Sequence, residues 1–292
     1  MSGSDQSTMT KRAGVLAKNA YGKSKVRLTK VTRLKDRHIL KEISVAVQLQ
    51  GDFAATYDVG DNSQVVATDS MKNTVYVLAS KHPLDTIESF GVDMVDHYLK
   101  TYKQISGVTV RIVEELWHRI VHDGKAHAHS FYGAGAEKRV AEIEGTRQSV
   151  VVKSGIEGLK LVKTAGSEFW GFVRDENTTL ADTKDRIFGT SVSVEWLYQN
   201  ARPDYQAAYD GVRNAILECF ASHHSLAVQH TMYEIGQLAL ERVPDISEIS
   251  LVMPNEHRIP FNLQPFNLEN KNEIFVTTDE PYGLISATLK RS

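Results

Sequence analysis

The chain has a single cysteine, Cys219, in 292 residues. One thiol closes no internal disulfide and supplies no thiolate cluster for zinc or iron–sulfur, which fits a reducing compartment. No apolar run approaches the length of a membrane-spanning helix, so no membrane partner is expected. The opening MSGSDQSTMT is polar and has no apolar signal core; residues 1–20 read as a disordered tail. An excess of one charge is missing too: 34 Lys and Arg stand against 36 Asp and Glu, net -2. No basic field therefore speaks for nucleic acid or an anionic surface. There is no GxGxxG after a strand, no P-loop and no CxxC, and GAGA at Gly133–Ala136 is too short for a nucleotide fingerprint. What remains is ordinary globular material, 41% hydrophobic and 24% charged, enough for one large domain or two of usual size.

Periodicity gives an order of elements. Val26–Thr32 and His38–Gln50 read as strands joined by the charged turn RLKDR, the second alternating like a half-buried antiparallel strand. Thr68, Asp69 and Ser70 stand at a helix start, where their oxygens suit capping. Pro83 and Asp85 open a helix carrying Ile87, Phe90, Met94, Tyr98 and Tyr102 on one stripe. Strand character returns in Gly107–Ile120, His127–Phe131 and Lys138–Glu144. The same order then recurs. Ser149–Lys153, Gly158–Thr164, Phe169–Arg174 and Thr190–Tyr198 read as strands, and Pro203 and Asp204 open a helix. A second helix runs from about Leu226 to Val243, and Ile246–Met253, Glu273–Thr277 and Gly283–Leu289 close the chain as strands. A pattern repeating at about 140 residues predicts two similar halves, 21–147 and 148–292, each an antiparallel sheet with helices on one face, an α+β architecture.

Polar residues at element ends are the candidates for chemistry: Lys23 before the first strand, Thr68 and Asp69, Arg186 before Thr190–Tyr198, Val228 and Gln229 near the last helix start, and Asn255 and His257 after SLVM. Each alone reads as an ordinary solvated or capping residue. Together with their neighbours they form six ordered blocks: YGK (Tyr21–Lys23), VATDS (Val66–Ser70), SEFWGFVRDENTTL with Asp185 and Arg186, VQHTMYE (Val228–Glu234), PNEH (Pro254–His257) and PYGLI (Pro281–Ile285). This set resembles the urate oxidase family from about Tyr21 to Arg291.

The resemblance implies the tunnelling fold: two ββααββ halves per chain, forming a tunnel in a homotetramer whose active sites lie between subunits. It implies that Phe169, Arg186, Val228, Gln229 and Asn255 bind substrate from one subunit, and that Lys23, Thr68, Asp69 and His257 approach from its neighbour. Urate is a flat, electron-rich trione, so Phe169 can stack on it and Arg186 can fork onto its oxygen edge. Gln229 can read a ring N–H and the adjacent carbonyl, and the Val228 and Asp69 amides can donate to other heteroatoms. Lys23, Thr68 and His257 are implied as the catalytic proton relay. Lysine acts as a base where burial or a nearby cation lowers its pKa. Asn255 and Thr68 would hold dioxygen, then water. The implied reaction is urate, dioxygen and water giving 5-hydroxyisourate and hydrogen peroxide, with no metal or organic cofactor. The expected location is cytoplasmic, or peroxisomal if a tripeptide was trimmed after LKRS.

Two alternatives stay open. His118, His122, His127 and His129 fall within twelve positions and could hold adventitious metal, or form a polar edge or interface. The chain could also be a purine- or pterin-binding protein of the same fold without oxidase activity. A zinc cyclohydrolase is disfavoured by the single cysteine.

Overall fold

The computed structural model describes residues 13–292. Residues 1–12 of the expected tail lie outside the described residues, and 13–20 carry no helix or strand. The element order is β1 (Tyr21–Arg33), β2 (His38–Gly51), α1 (Ala54–Asp58), α2 (Thr68–Lys81), α3 (Ile87–Thr101), β3 (Ile105–His122) and β4 (Lys125–Thr146). It continues with β5 (Val150–Lys163), β6 (Phe188–Tyr198), α4 (Tyr205–Ser222), α5 (Val228–Arg242), β7 (Ile246–Pro260) and β8 (Phe275–Lys290). All eight strands pair antiparallel in sequence order, β1 to β8. The two expected sheets are thus joined through β4 and β5, whose register runs from Lys138↔Glu157 to Gly145↔Val150. Alternation decides which face is covered: Ile43, Val45, Val47 and Leu49 of β2 turn into one cluster with Met71, Ile87, Met94, Ile216 and Ile235 from the helices.

Local chemistry accounts for several boundaries. Asp204 caps α4 by accepting from the Ala207 amide. The cap of α3 is Thr86, accepting from Ser89 N, so the helix begins after Asp85 rather than at Pro83. The strand fragments expected between Gly107 and Glu144 are one long hairpin, β3 and β4. Its turn is Asp123–Gly124 with φ of 49° and 71°, the two positive values a primed turn needs. The hairpin tip is exposed on both faces, Trp117, Ile120, Val121 and Tyr132 included, so it lacks the buried apolar alternation that marks a strand. Phe169–Arg174 departs the other way: it is a loop making only a Phe169↔Thr183 bridge, with Gly171 at φ 73°. Pro281 does not split the last strand, and β8 runs on through it.

The halves share a device. Lys30 of β1 donates to the carbonyls of Ala79 and His82 at the end of α2. Lys163 of β5 donates to those of Phe220 and His223 at the end of α4. The offset is 141 residues at both carbonyls, 79 to 220 and 82 to 223. A cation at a helix C-terminus satisfies carbonyls that have no partner within the helix.

A buried ion pair of the first half is tied to the second by hydrogen bonds. Arg139 of β4 meets Glu88 of α3 with both prongs, 3.2 and 2.9 Å, and reaches Gln206 Oε1 of α4 at 2.7 Å. Ser154 donates to the same carboxylate, and Arg139 lies 4.4 Å over the Tyr209 ring. Arg139→Met removes the cation that faces the buried Glu88 carboxyl, so we expect a loss of about 3–5 kcal/mol in denaturant unfolding. Glu88→Gln in the same chain should recover part of it.

Burial pushes the His82, His97 and His223 imidazoles below their ordinary value of 6.5. In the fold they take up protons only at lower pH than in the unfolded chain, where the ordinary value is 6.5. Stability is therefore full above that pH and falls as acid is added below it. His82 also accepts the Leu84 amide at Nδ1, a bond that protonation there removes. The unfolding midpoint should drop between about pH 7 and 5, and His82→Asn, which keeps an acceptor and cannot titrate, should flatten that drop.

Candidate active site

The candidate residues fall into two groups. The first sits at the start of β1 and α2. Tyr21 donates its hydroxyl to Val66 O (3.2 Å) and accepts from Val66 N (2.8 Å), pinning the chain just before α2 to β1. Gly22 lies so close to Val47 O that a Cβ would sit 1.8 Å from it, so only glycine fits beside Lys23. A bulge between Lys23 and Val26, with Lys25 at φ 56°, turns the strand there. Thr68 and Asp69 are the first helical residues of α2 and are exposed. They do not cap it: the N-cap is Ala67, with no side-chain cap bond. Asp69 instead accepts from Lys72 (2.5 Å) and Asn73 (3.1 Å), and the Lys72 contact first, with Lys23 further off, holds its carboxyl below the usual range.

The second group surrounds a cavity of about 350 Å³ lined by Phe169, Arg186, Asn255, His257, Arg258 and Phe275 among others. That is the size range of small-ligand pockets. Asn255 and His257 lie within β7, not after it, where its pairing with β8 shifts register from Asn255↔Gly283 to His257↔Thr278. His257 therefore stands with Asn255 of its own chain, not with Lys23. The Arg186 carbon lies 5.3 Å over the Phe169 ring, and Phe169 stacks on Phe172 at 5.0 Å. Arg186 is half-buried, and loss of water pushes its pKa down. It makes no ion pair among the described residues, and only its Nε has a side-chain partner, Ser167 Oγ at 3.3 Å. Its two terminal nitrogens make no hydrogen bond to another described residue. Val228 and Gln229 open α5 as its first two residues and do not line this cavity in one chain.

Sequence reasoning missed the residues joining these parts. Ser167, Ser225 and Thr231 are fully buried polar side chains. Ser167 and Ser225 form a parallel bridge, and Glu168 N donates to Ser225 O at 2.7 Å. Ser167 and Glu168 lay inside the SEFWGF block, but nothing local marked Ser225. The four histidines between His118 and His129 straddle the β3–β4 turn. His127 and His129 rings meet at 4.5 Å, and among the described residues no group of three His, Cys, Asp or Glu is placed to hold a metal.

β1 and β7 are six strand steps apart in the sheet. At about 4.8 Å per step, Lys23 and His257 are separated by about 29 Å along it. Lys23, Thr68 and Asp69 do not line the second group's cavity within one chain.

A continuous antiparallel sheet of paired ββ-helix-ββ halves, with Phe169 and Arg186 at a cavity beside β7, defines a tunnelling-fold protein. A family model described as Uricase matches residues 19–144 and 152–286. The uricase of Arthrobacter globiformis is 44% identical over 286 residues, 97% of this chain and 92% of that protein. The uricase of Dictyostelium discoideum is 39% identical, covering 95% of this chain and 98% of its own length. The crystal structure of the Arthrobacter globiformis uricase superposes with a TM-score of 0.91 at 43% identity, over 96% of each chain. The chain belongs to the uricase family. Among the described residues no helix is long and apolar enough to cross a membrane.

Proposed function

We propose that the chain oxidises urate with dioxygen and water to 5-hydroxyisourate and hydrogen peroxide, without metal or organic cofactor, at sites shared between subunits of a homotetramer. The observation that carries the sharing is the separation of the two half-sites across the sheet. β1 and β8 are unpaired edges within one chain, a liability that pairing with another copy removes. Ile259, Phe261, Ile274 and Leu284 near the β7–β8 end are exposed apolar residues that such an assembly would cover.

In the completed site Phe169 stacks on urate while Arg186 and Gln229 hold opposite parts of its polar edge, with the Val228 and Asp69 amides donating to ring heteroatoms. Lys23 takes a proton from urate through Thr68 of the same chain. His257 closes the relay from the subunit that holds the substrate, and Asn255 with Thr68 fixes dioxygen, then water, above the ring. The urate anion supplies both electrons that reduce dioxygen to peroxide, and water supplies the oxygen of the new hydroxyl. Each chain consists of halves 21–147 and 148–292; the matching Lys30 and Lys163 devices support that division. A cytoplasmic setting suits the single cysteine, whose buried thiol is pushed up to about 11 and stays protonated.

The test is loss of urate's near-ultraviolet absorbance in air with excess chelator, alongside a peroxide assay. Stoichiometric peroxide that chelator leaves unchanged is the expected result. Activity that chelator abolishes would reject the cofactor-free reading and turn attention to the β3–β4 histidines.

A further inference from the structure

We infer that Ser167 and Ser225 are positioning residues that set the spacing between the Arg186 guanidinium and the Val228–Gln229 start of α5, a role that rests on the urate reading above. The two binding elements come from distant stretches, a loop before β6 and a helix, joined outside the named strands by the isolated Ser167–Ser225 bridge. The connection is a chain of short-range hydrogen bonds. Arg186 donates its backbone N–H to Ser167 O at 2.9 Å and its Nε to Ser167 Oγ at 3.3 Å. Ser167 is bridged to Ser225, with Ser225 N donating to Gly166 O at 2.9 Å and Glu168 N to Ser225 O at 2.7 Å. The Ser225 hydroxyl donates to Ala227 O at 3.2 Å, and Ala227 is the N-cap of α5. Thr231, in the first turns of α5, donates to Ser225 Oγ at 2.8 Å and closes the ring.

Ser167, Ser225 and Thr231 each have 0% exposure. The Thr231 and Ser225 hydroxyls meet each other, the Ser167 hydroxyl meets Arg186, and the two are joined through backbone bonds; buried so, they keep their geometry, since breaking any bond leaves an unsatisfied polar group. Glu168 adds a second tie: it accepts from His224 at 2.8 Å, just before Ser225, and from Trp170 at 2.6 Å, just after Phe169. Those two donors hold its carboxyl below the usual range. A rigid purine held at two places senses the distance between its holders, so slack in this chain weakens binding without touching the proton relay.

The experiment is a double-mutant cycle on urate kinetics with Ser167→Ala, Arg186→Lys and the combination. Ser167→Ala alone should raise KM about tenfold with kcat within about twofold, since it releases a hydrogen bond to a charged group. In the Arg186→Lys background, where lysine has no Nε–H to place, Ser167→Ala should change KM by less than about twofold. Thr231→Val, which keeps the shape and removes the hydroxyl, should raise KM with kcat preserved and serves if Ser167→Ala does not fold. Equal effects of Ser167→Ala in both backgrounds, or KM unmoved in Ser167→Ala and Thr231→Val alike, would overturn the positioning role. A wild-type chain that leaves urate untouched would instead overturn the functional reading, and this inference with it.

Discussion

Lys23→Met lowers kcat for urate by about two orders of magnitude or more, the contribution of a positioned proton-transfer group. Methionine keeps the length and apolar stem of lysine and removes the nitrogen. Lys23 is only half-buried at the bulge that opens β1, so the fold should tolerate the change. Thr68→Ala should act in the same direction, because the exposed hydroxyl on the first helical residue of α2 makes no side-chain bond among the described residues. Its loss costs the helix no cap. The measurement is steady-state urate consumption, paired with thermal unfolding of each variant. Full turnover in both variants would remove Lys23 and Thr68 from the reaction.

Arg186→Lys carries the second large effect: a rise in KM of about 10- to 100-fold, equivalent to losing one or two hydrogen bonds to a charged group. An ammonium cannot present parallel donors or stack on Phe169 as the guanidinium does at 5.3 Å. Arg186 is also partly stripped of water and has no carboxylate partner among the described residues. Urate titration in the absence of oxygen measures the same loss as a dissociation constant. An affinity equal to wild type would reject the assignment.

Much of this was legible in the sequence because periodicity and burial agree. The stripe Ile87, Phe90, Met94 and Tyr98 is buried, as is the stripe Tyr205, Tyr209, Val212 and Ile216. The Asp204 cap was readable because capping is a local bond over three residues. What escaped depends on partners distant in sequence. The β3–β4 tip looked like fragments because both its faces are wet. Phe169–Arg174 looked like a strand because aromatic and β-branched residues favour one, yet no strand lies beside it beyond a single bridge. The grouping of Lys23 with Thr68 depends on the Tyr21–Val66 bonds across 45 residues. That of Arg186 with α5 depends on Ser225, which no local pattern marks. His257 was expected opposite Asn255 and stands beside it, because alternation along β7 turns residues 255 and 257 to the same side, where both line one cavity.

The central claim is that each site draws Lys23 and Thr68 from one chain and Phe169, Arg186, Asn255 and His257 from another. Complementation tests it most directly: purified Lys23→Met and Arg186→Ala chains, each nearly inactive, are unfolded together, refolded in equal amounts and assayed on urate. Shared sites predict recovery to about a quarter of the wild-type rate, because random assembly joins two intact half-sites at one site in four. Mixed assemblies that stay as inactive as their parents, with wild-type chains recovering fully under the same refolding, would place the whole site within one chain and contradict the account.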